Sequence, residues 1–141
     1  MILNGQSFNV VTVVDDSGQL QKFSTKELFK INKDHLTAEL MKFSEDFGWW
    51  SRLAAELAHQ KRTLKTLFEQ TEAKVSLSIR RGGGDGVKLT EKTIEAMIVT
   101  DPLVMKATED FNEICRLHDV ITSVTETLRM KQEMIKLHIN E

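Results

Sequence analysis

Cysteine occurs once among the 141 residues, at Cys115, so no internal disulfide can form and a reducing compartment is expected. Proline also occurs once, at Pro102, which leaves room for long uninterrupted helices on either side. Tyrosine is missing altogether, and the aromatic share is 6%. Few rings are therefore available on which bases could stack. No uncharged apolar run approaches the length of a membrane span. The start, Met1-Ile2-Leu3-Asn4, lacks the basic and apolar regions of a signal peptide. These absences predict a soluble intracellular protein, one domain over residues 1–141, with no membrane partner.

Catalytic constellations are missing too. His35, His59, His118 and His138 lie far apart in sequence, outside any metal-binding spacing. Each reads as a surface or seam-edge residue. Cys115 follows Ile114 on an apolar stripe and reads as a buried thiol rather than a nucleophile. Gly82-Gly83-Gly84-Asp85-Gly86 lacks the Gly-Lys-Ser/Thr of a phosphate-binding loop, and Asp85 lacks the companion oxygens of a calcium loop. The expectation is a non-enzyme with no metal and no cofactor.

Helical periodicity is what the chain has in abundance. Alternating steps of four and three from Leu36 pass through Leu40, Phe43, Phe47, Trp50, Ala54, Leu57, Lys61, Leu64, Phe68, Thr71 and Val75. Only Lys61 and Thr71 interrupt the apolar seam, which predicts a helix over Asp34–Arg81 with coiled-coil character. Such a seam drifts by about 20° per heptad on a straight helix, so the helix must bend or supercoil to keep it covered. Gly48 inside this run suggests close approach of another backbone. Trp50 lies on the seam. Trp49 lies about 100° away, on either a second packing face or an exposed platform, with the core the ordinary reading for both.

Before this helix, Phe8–Val14 and Gln19–Phe23 read as strands joined by the turn chemistry of Asp15-Asp16-Ser17-Gly18. A lone hairpin is marginal in water, so a helix or a neighbouring copy must cover it. It is either a cap on the helices or a strand that joins subunits. Ser24 and Glu27 fit a capping box for a short helix through Ile31, and Asn32 to Asp34 offers a new cap. After the glycine cluster, Thr90 caps a helix over Glu91–Val99, and Asp101-Pro102 starts the last helix, to about Ile139. The stripe of that helix is Ala107, Phe111, Ile114, Leu117, Ile121, Val124, Leu128 and Ile135. The predicted fold is mainly α: an elongated helical hairpin of two long helices plus a short helix. Residues 1–23 add a β-hairpin extension to the helical region 24–141. Leu53, Leu67, Met105, Val120, Met130 and Met134 fall outside the seams, which predicts oligomerisation.

Charge divides unevenly. The formal net charge is −2. Between Lys61 and Arg81, however, Lys61, Arg62, Lys65, Lys74, Arg80 and Arg81 face only Glu69 and Glu72. Acidic residues dominate the chain after Gly82. Such a run is ordinarily a solvated helix face. Its functional reading is a phosphate track: these six bases supply charge, and the amides of Gly82, Gly83 and Gly84 approach phosphate oxygens with no side chain in the way.

The order of these features resembles the UvsY-like recombination mediator proteins of phages. The resemblance rests on Ile31, Leu36, Glu39, Phe47 and Trp50, then on Lys74-Val75-Ser76-Leu77-Ser78-Ile79-Arg80 and Gly84-Asp85-Gly86. It continues through Thr90-Glu91 to Asp101 and on to Ile135-Lys136. It implies a ring-like homo-oligomer, hexamer to octamer, that acts in the cytoplasm, a host's if phage-encoded. Such a ring binds single-stranded DNA and helps a RecA-like recombinase displace single-strand-binding protein. The family's DNA-contacting Arg is matched by Arg80, whereas Ser78 stands where the family has Lys. Residues before Ser24 depart from the family pattern. The alternative from the residues alone is an oligomeric coiled-coil adaptor that binds protein partners only.

Overall fold

A computed structural model describes residues 10–14, 19–82 and 89–140 of the chain. It is mainly helical, with a pair of short strands ahead of the helices. The expected strand residues Phe8 and Asn9, the turn Asp15 to Gly18, and the Gly83-Gly84-Asp85-Gly86 part of the glycine cluster lie outside the described residues. Two compact units are present: Met1–Ala58 with Leu117–Glu141, and His59–Arg116.

In the first unit, β1 (Val10–Val14) and β2 (Leu20–Ser24) pair antiparallel, with Val11 opposite Phe23. Ser24 ends β2 and caps α1 (Thr25–Phe29), its Oγ accepting from the Glu27 N–H at 3.4 Å. This helix closes two residues short of Ile31. Asn32 supplies the next cap: its Oδ1 accepts from the Asp34 N–H at 3.1 Å and opens a 3-10 turn over Lys33–His35. The long helix α2 therefore starts at Leu36 rather than Asp34 and runs to Gly82. Phe43, Trp50 and Leu57 of α2 are buried, as are Leu117, Ile121, Val124, Leu128 and Ile135 of α4 (Pro102–Ile139).

Phe23 of β2 packs against α2. The Phe23 ring lies 5.1 Å from Trp49 and 5.3 Å from Trp50, and the two indoles meet edge to face at 4.9 Å. Trp49 is half-buried and so serves a second packing face beside the seam. Glu39 meets Lys131 at 3.1 Å, and the Arg129 guanidinium lies 5.8 Å from the centre of the Phe47 ring.

The second unit contains the rest of α2, α3 (Glu91–Thr100) and the start of α4. Thr90 caps α3, its Oγ1 accepting from the Thr93 N–H at 3.2 Å. Asp101 caps α4, its Oδ1 accepting from the Leu103 N–H at 2.9 Å. Pro102 takes the first helical position, where no N–H is needed. Val75, Ile94, Val104 and Ile114 are buried, and the Phe68 and Phe111 rings stack at 6.3 Å.

Two local expectations change. A Cβ built on Gly48 meets nothing within 4 Å, so no other backbone among the described residues approaches it closely. Cys115 is half-buried rather than enclosed, because Ile114 and Leu117 take the inward positions of this turn. The apolar residues outside the seams divide: Leu67, Met105, Met130 and Met134 are exposed, while Leu53 and Val120 are half-buried.

Candidate nucleic-acid interface

All six bases of the charged run sit on the second half of α2, within the unit His59–Arg116. Within the helix the hydroxyls of Thr63, Thr66 and Thr71 are satisfied by donating to the carbonyl four residues earlier, at 3.2, 3.1 and 2.7 Å. Lys61 lies on the seam and is half-buried; Arg62, Lys65, Lys74, Arg80 and Arg81 are exposed. Arg80 and Arg81 belong to the last turn, where the negative end of the helix dipole favours cations.

These side chains do not form one row. At about 100° per residue, Arg62 and Arg80 share a direction, with Lys65 about 60° from them. Lys74 and Arg81 share a second direction about 100–120° away. Lys74, Leu77, Ser78, Arg81 and Gly82 line one shallow depression along that second face. The half-exposed Leu77 gives it an apolar floor beside the cations. Lys74 also borders an apolar groove of about 380 Å³ between α2 and α4, lined among others by Leu64, Leu67, Thr71, Leu103 and Ala107.

Ion pairing separates the two long helices. Every Lys and Arg of α4 stands within 4.0 Å of a carboxylate: Lys106 with Asp110, Arg116 with Glu113, Arg129 with Glu126, Lys131 with Glu39, and Lys136 with Glu133. Among the described residues, Lys61, Arg62, Lys65, Lys74 and Arg81 of α2 form no ion pair within that distance.

Arg80 is the exception. Its Nη1 and Nη2 donate to Oε1 and Oε2 of Glu91 at 2.8 and 2.9 Å, and its Nε donates to Ser76 Oγ at 3.3 Å. The hydrogen bonds from Arg80, and then its charge, hold the Glu91 carboxyl below its ordinary range. The same carboxylate raises the Arg80 guanidinium. Both side chains remain largely in solvent, 46% and 70% exposed, so the pair is a geometric clasp rather than a source of fold stability.

Gly82 is exposed, and a Cβ there would meet nothing within 4 Å among the described residues. Gly83 and Gly84, expected beside it in the site, lie outside the described residues. Among the described residues no group of His, Cys, Asp and Glu side chains could hold a metal ion. His35 and His59 are exposed and His118 and His138 half-buried. His118 Nδ1 is buried without a hydrogen-bond partner among the described residues.

Sequence reasoning missed Glu91 as the partner of Arg80 and Leu77 as the floor of the basic depression. An acidic residue straight after the Thr90 cap was the available signal for the first, because first-turn acids lie where a nearby cation can reach them. No family model matches the chain, nor does any curated protein or solved structure.

Proposed function

We propose that this chain is a recombination mediator. It binds single-stranded DNA and helps load a RecA-like recombinase onto strands covered by single-strand-binding protein. The helical hairpin of two long helices and its closure into a ring-like homo-oligomer belong to this proposal. So do a cytoplasmic location and a non-enzymatic action. The carrying observation is the set of exposed cations Arg62, Lys65, Lys74 and Arg81 on α2, unpaired among the described residues, against the fully paired cations of α4. Support also comes from the resemblance of Leu28 to Ile139 to phage mediators. Among the described residues no helix is long and apolar enough to cross a membrane.

Cations on different sides of one helix suit a strand that crosses the helix rather than lying along it. Each copy contributes few phosphate contacts, and affinity grows when several copies hold one strand. Weak single sites then release one at a time as a recombinase filament advances. Exposed Leu67, Met97, Val99, Leu103 and Met105 supply apolar surface for contacts between copies. The test is fluorescence anisotropy of a labelled single-stranded oligonucleotide at low salt. Binding by the wild type, with loss in Arg62→Ala, Lys65→Ala, Lys74→Ala, Arg81→Ala combined, supports the reading. Failure of the wild type to bind refutes it.

A protein-only adaptor is the second reading. It is favoured by exposed Met130, Met134 and Leu137, spaced by four and three on α4. Capture of the recombinase by a chain with no DNA affinity selects it.

A further inference from the structure

We propose that Glu91 is a built-in competitor for the Arg80 guanidinium, occupying the place that a backbone phosphodiester takes when single-stranded DNA binds. This deepens the single-strand reading of α2 and rests on it. An Arg fork accepts carboxylate and phosphate alike through two parallel N–H···O bonds. Both Nη atoms of Arg80 already donate to the two oxygens of Glu91, at 2.8 and 2.9 Å. The third edge is turned to Ser76. A phosphate reaching Arg80 therefore exchanges one anion for another instead of meeting a free cation.

The clasp differs from the neighbouring ion pairs of its unit. Lys106–Asp110 and Glu113–Arg116 lie within one helix, three or four residues apart. Arg80 and Glu91 are 11 residues apart and join the end of α2 to the first residue of α3. Each partner suits its helix end, since Arg80 lies in a last turn and Glu91 in a first turn. The pair is solvent-facing, so a phosphate can reach it and the exchange carries no burial cost. Displaced Glu91 stays tethered nearby and returns when the phosphate leaves. Glu91 thereby caps affinity per copy and speeds release.

The experiment is anisotropy with labelled oligodeoxythymidylate across a salt series, with circular dichroism and thermal unfolding to verify the fold of each variant. Glu91→Gln should raise low-salt affinity by about two- to fivefold. Glu91→Asp keeps the charge but shortens the reach, and should give a smaller increase. Glu95→Gln removes an equal charge from the same helix and should give less than Glu91→Gln. In an Arg80→Ala background, Glu91→Gln and Glu95→Gln should become equivalent. Equal effects of Glu91→Gln and Glu95→Gln with Arg80 present would overturn the competitor role and leave the DNA reading standing. Wild type that does not bind at low salt overturns both.

Discussion

Lys131 of α4 sits 3.1 Å from the Glu39 carboxylate of α2, and both side chains are mostly withdrawn from solvent, at 12% and 21% exposure. The same Nζ donates to the Leu28 carbonyl at 2.9 Å, so one ammonium ties three segments of the first unit. Lys131→Met keeps the apolar stem but leaves a carboxylate and a carbonyl without their donor. It should cost about 1–3 kcal/mol in urea denaturation. A loss no larger than that of an exposed-charge variant such as Lys136→Met would contradict this role.

Trp50 is 1% exposed and touches Phe23 and Trp49 edge-on. Trp50→Ala should therefore cost about 3–5 kcal/mol by the loss of buried area and the cavity left behind. Phe23→Ala should red-shift tryptophan emission, because it uncovers both indoles from the strand side. Unchanged emission would mean that the strand pair does not cover α2 in solution.

How much of this was legible follows from period and caps. None of the seam positions read from Leu36 to Val75 is exposed, because a buried stripe must repeat with the helix. The caps Ser24, Thr90 and Asp101 were readable because a polar side chain before an apolar-periodic run has a local task. The start of α2 was misplaced because Asn32 and Asp34 are both good caps, and only the 3-10 turn between them decides. Val104 continues the α4 stripe one step before Ala107, a step that the sequence reading stopped short of. The Arg80–Glu91 clasp was hidden for a different reason: no periodicity relates residues separated by a glycine-rich segment.

Acid titration should find the clasp directly. The Glu91 carboxyl is depressed when folded, so the clasp holds above the ordinary glutamate range and opens as pH falls through the folded value, with little change in fold stability. Side-chain carboxyl NMR should show Glu91 titrating below the ordinary range and returning to it in Arg80→Ala. Glu113, held down first by its hydrogen bond from Arg116, should respond in the same way to Arg116→Ala. Titration of Glu91 that ignores Arg80→Ala would mean the pair does not persist in solution.

Apolar residues on the solvent side of α4 should govern assembly rather than folding. Met134 and Leu137 are 52% and 67% exposed, so Met134→Lys with Leu137→Lys should leave helical circular dichroism unchanged. Light scattering should show a smaller assembly than the wild type if copies meet through this face. An unchanged mass would place the contacts between copies elsewhere.

The most direct test of the central claim is the salt dependence of single-strand binding. Arg62, Lys65, Lys74 and Arg81 are exposed and unpaired among the described residues, and each phosphate neutralised on a single strand contributes about −0.7 to the slope of log affinity against log salt. The account predicts a slope of about −2 to −3 per copy at saturation. Lys74→Ala with Arg81→Ala should make it shallower by about 1.4. A flat slope, or one that these substitutions leave unchanged, would contradict the assignment of this helix to nucleic acid.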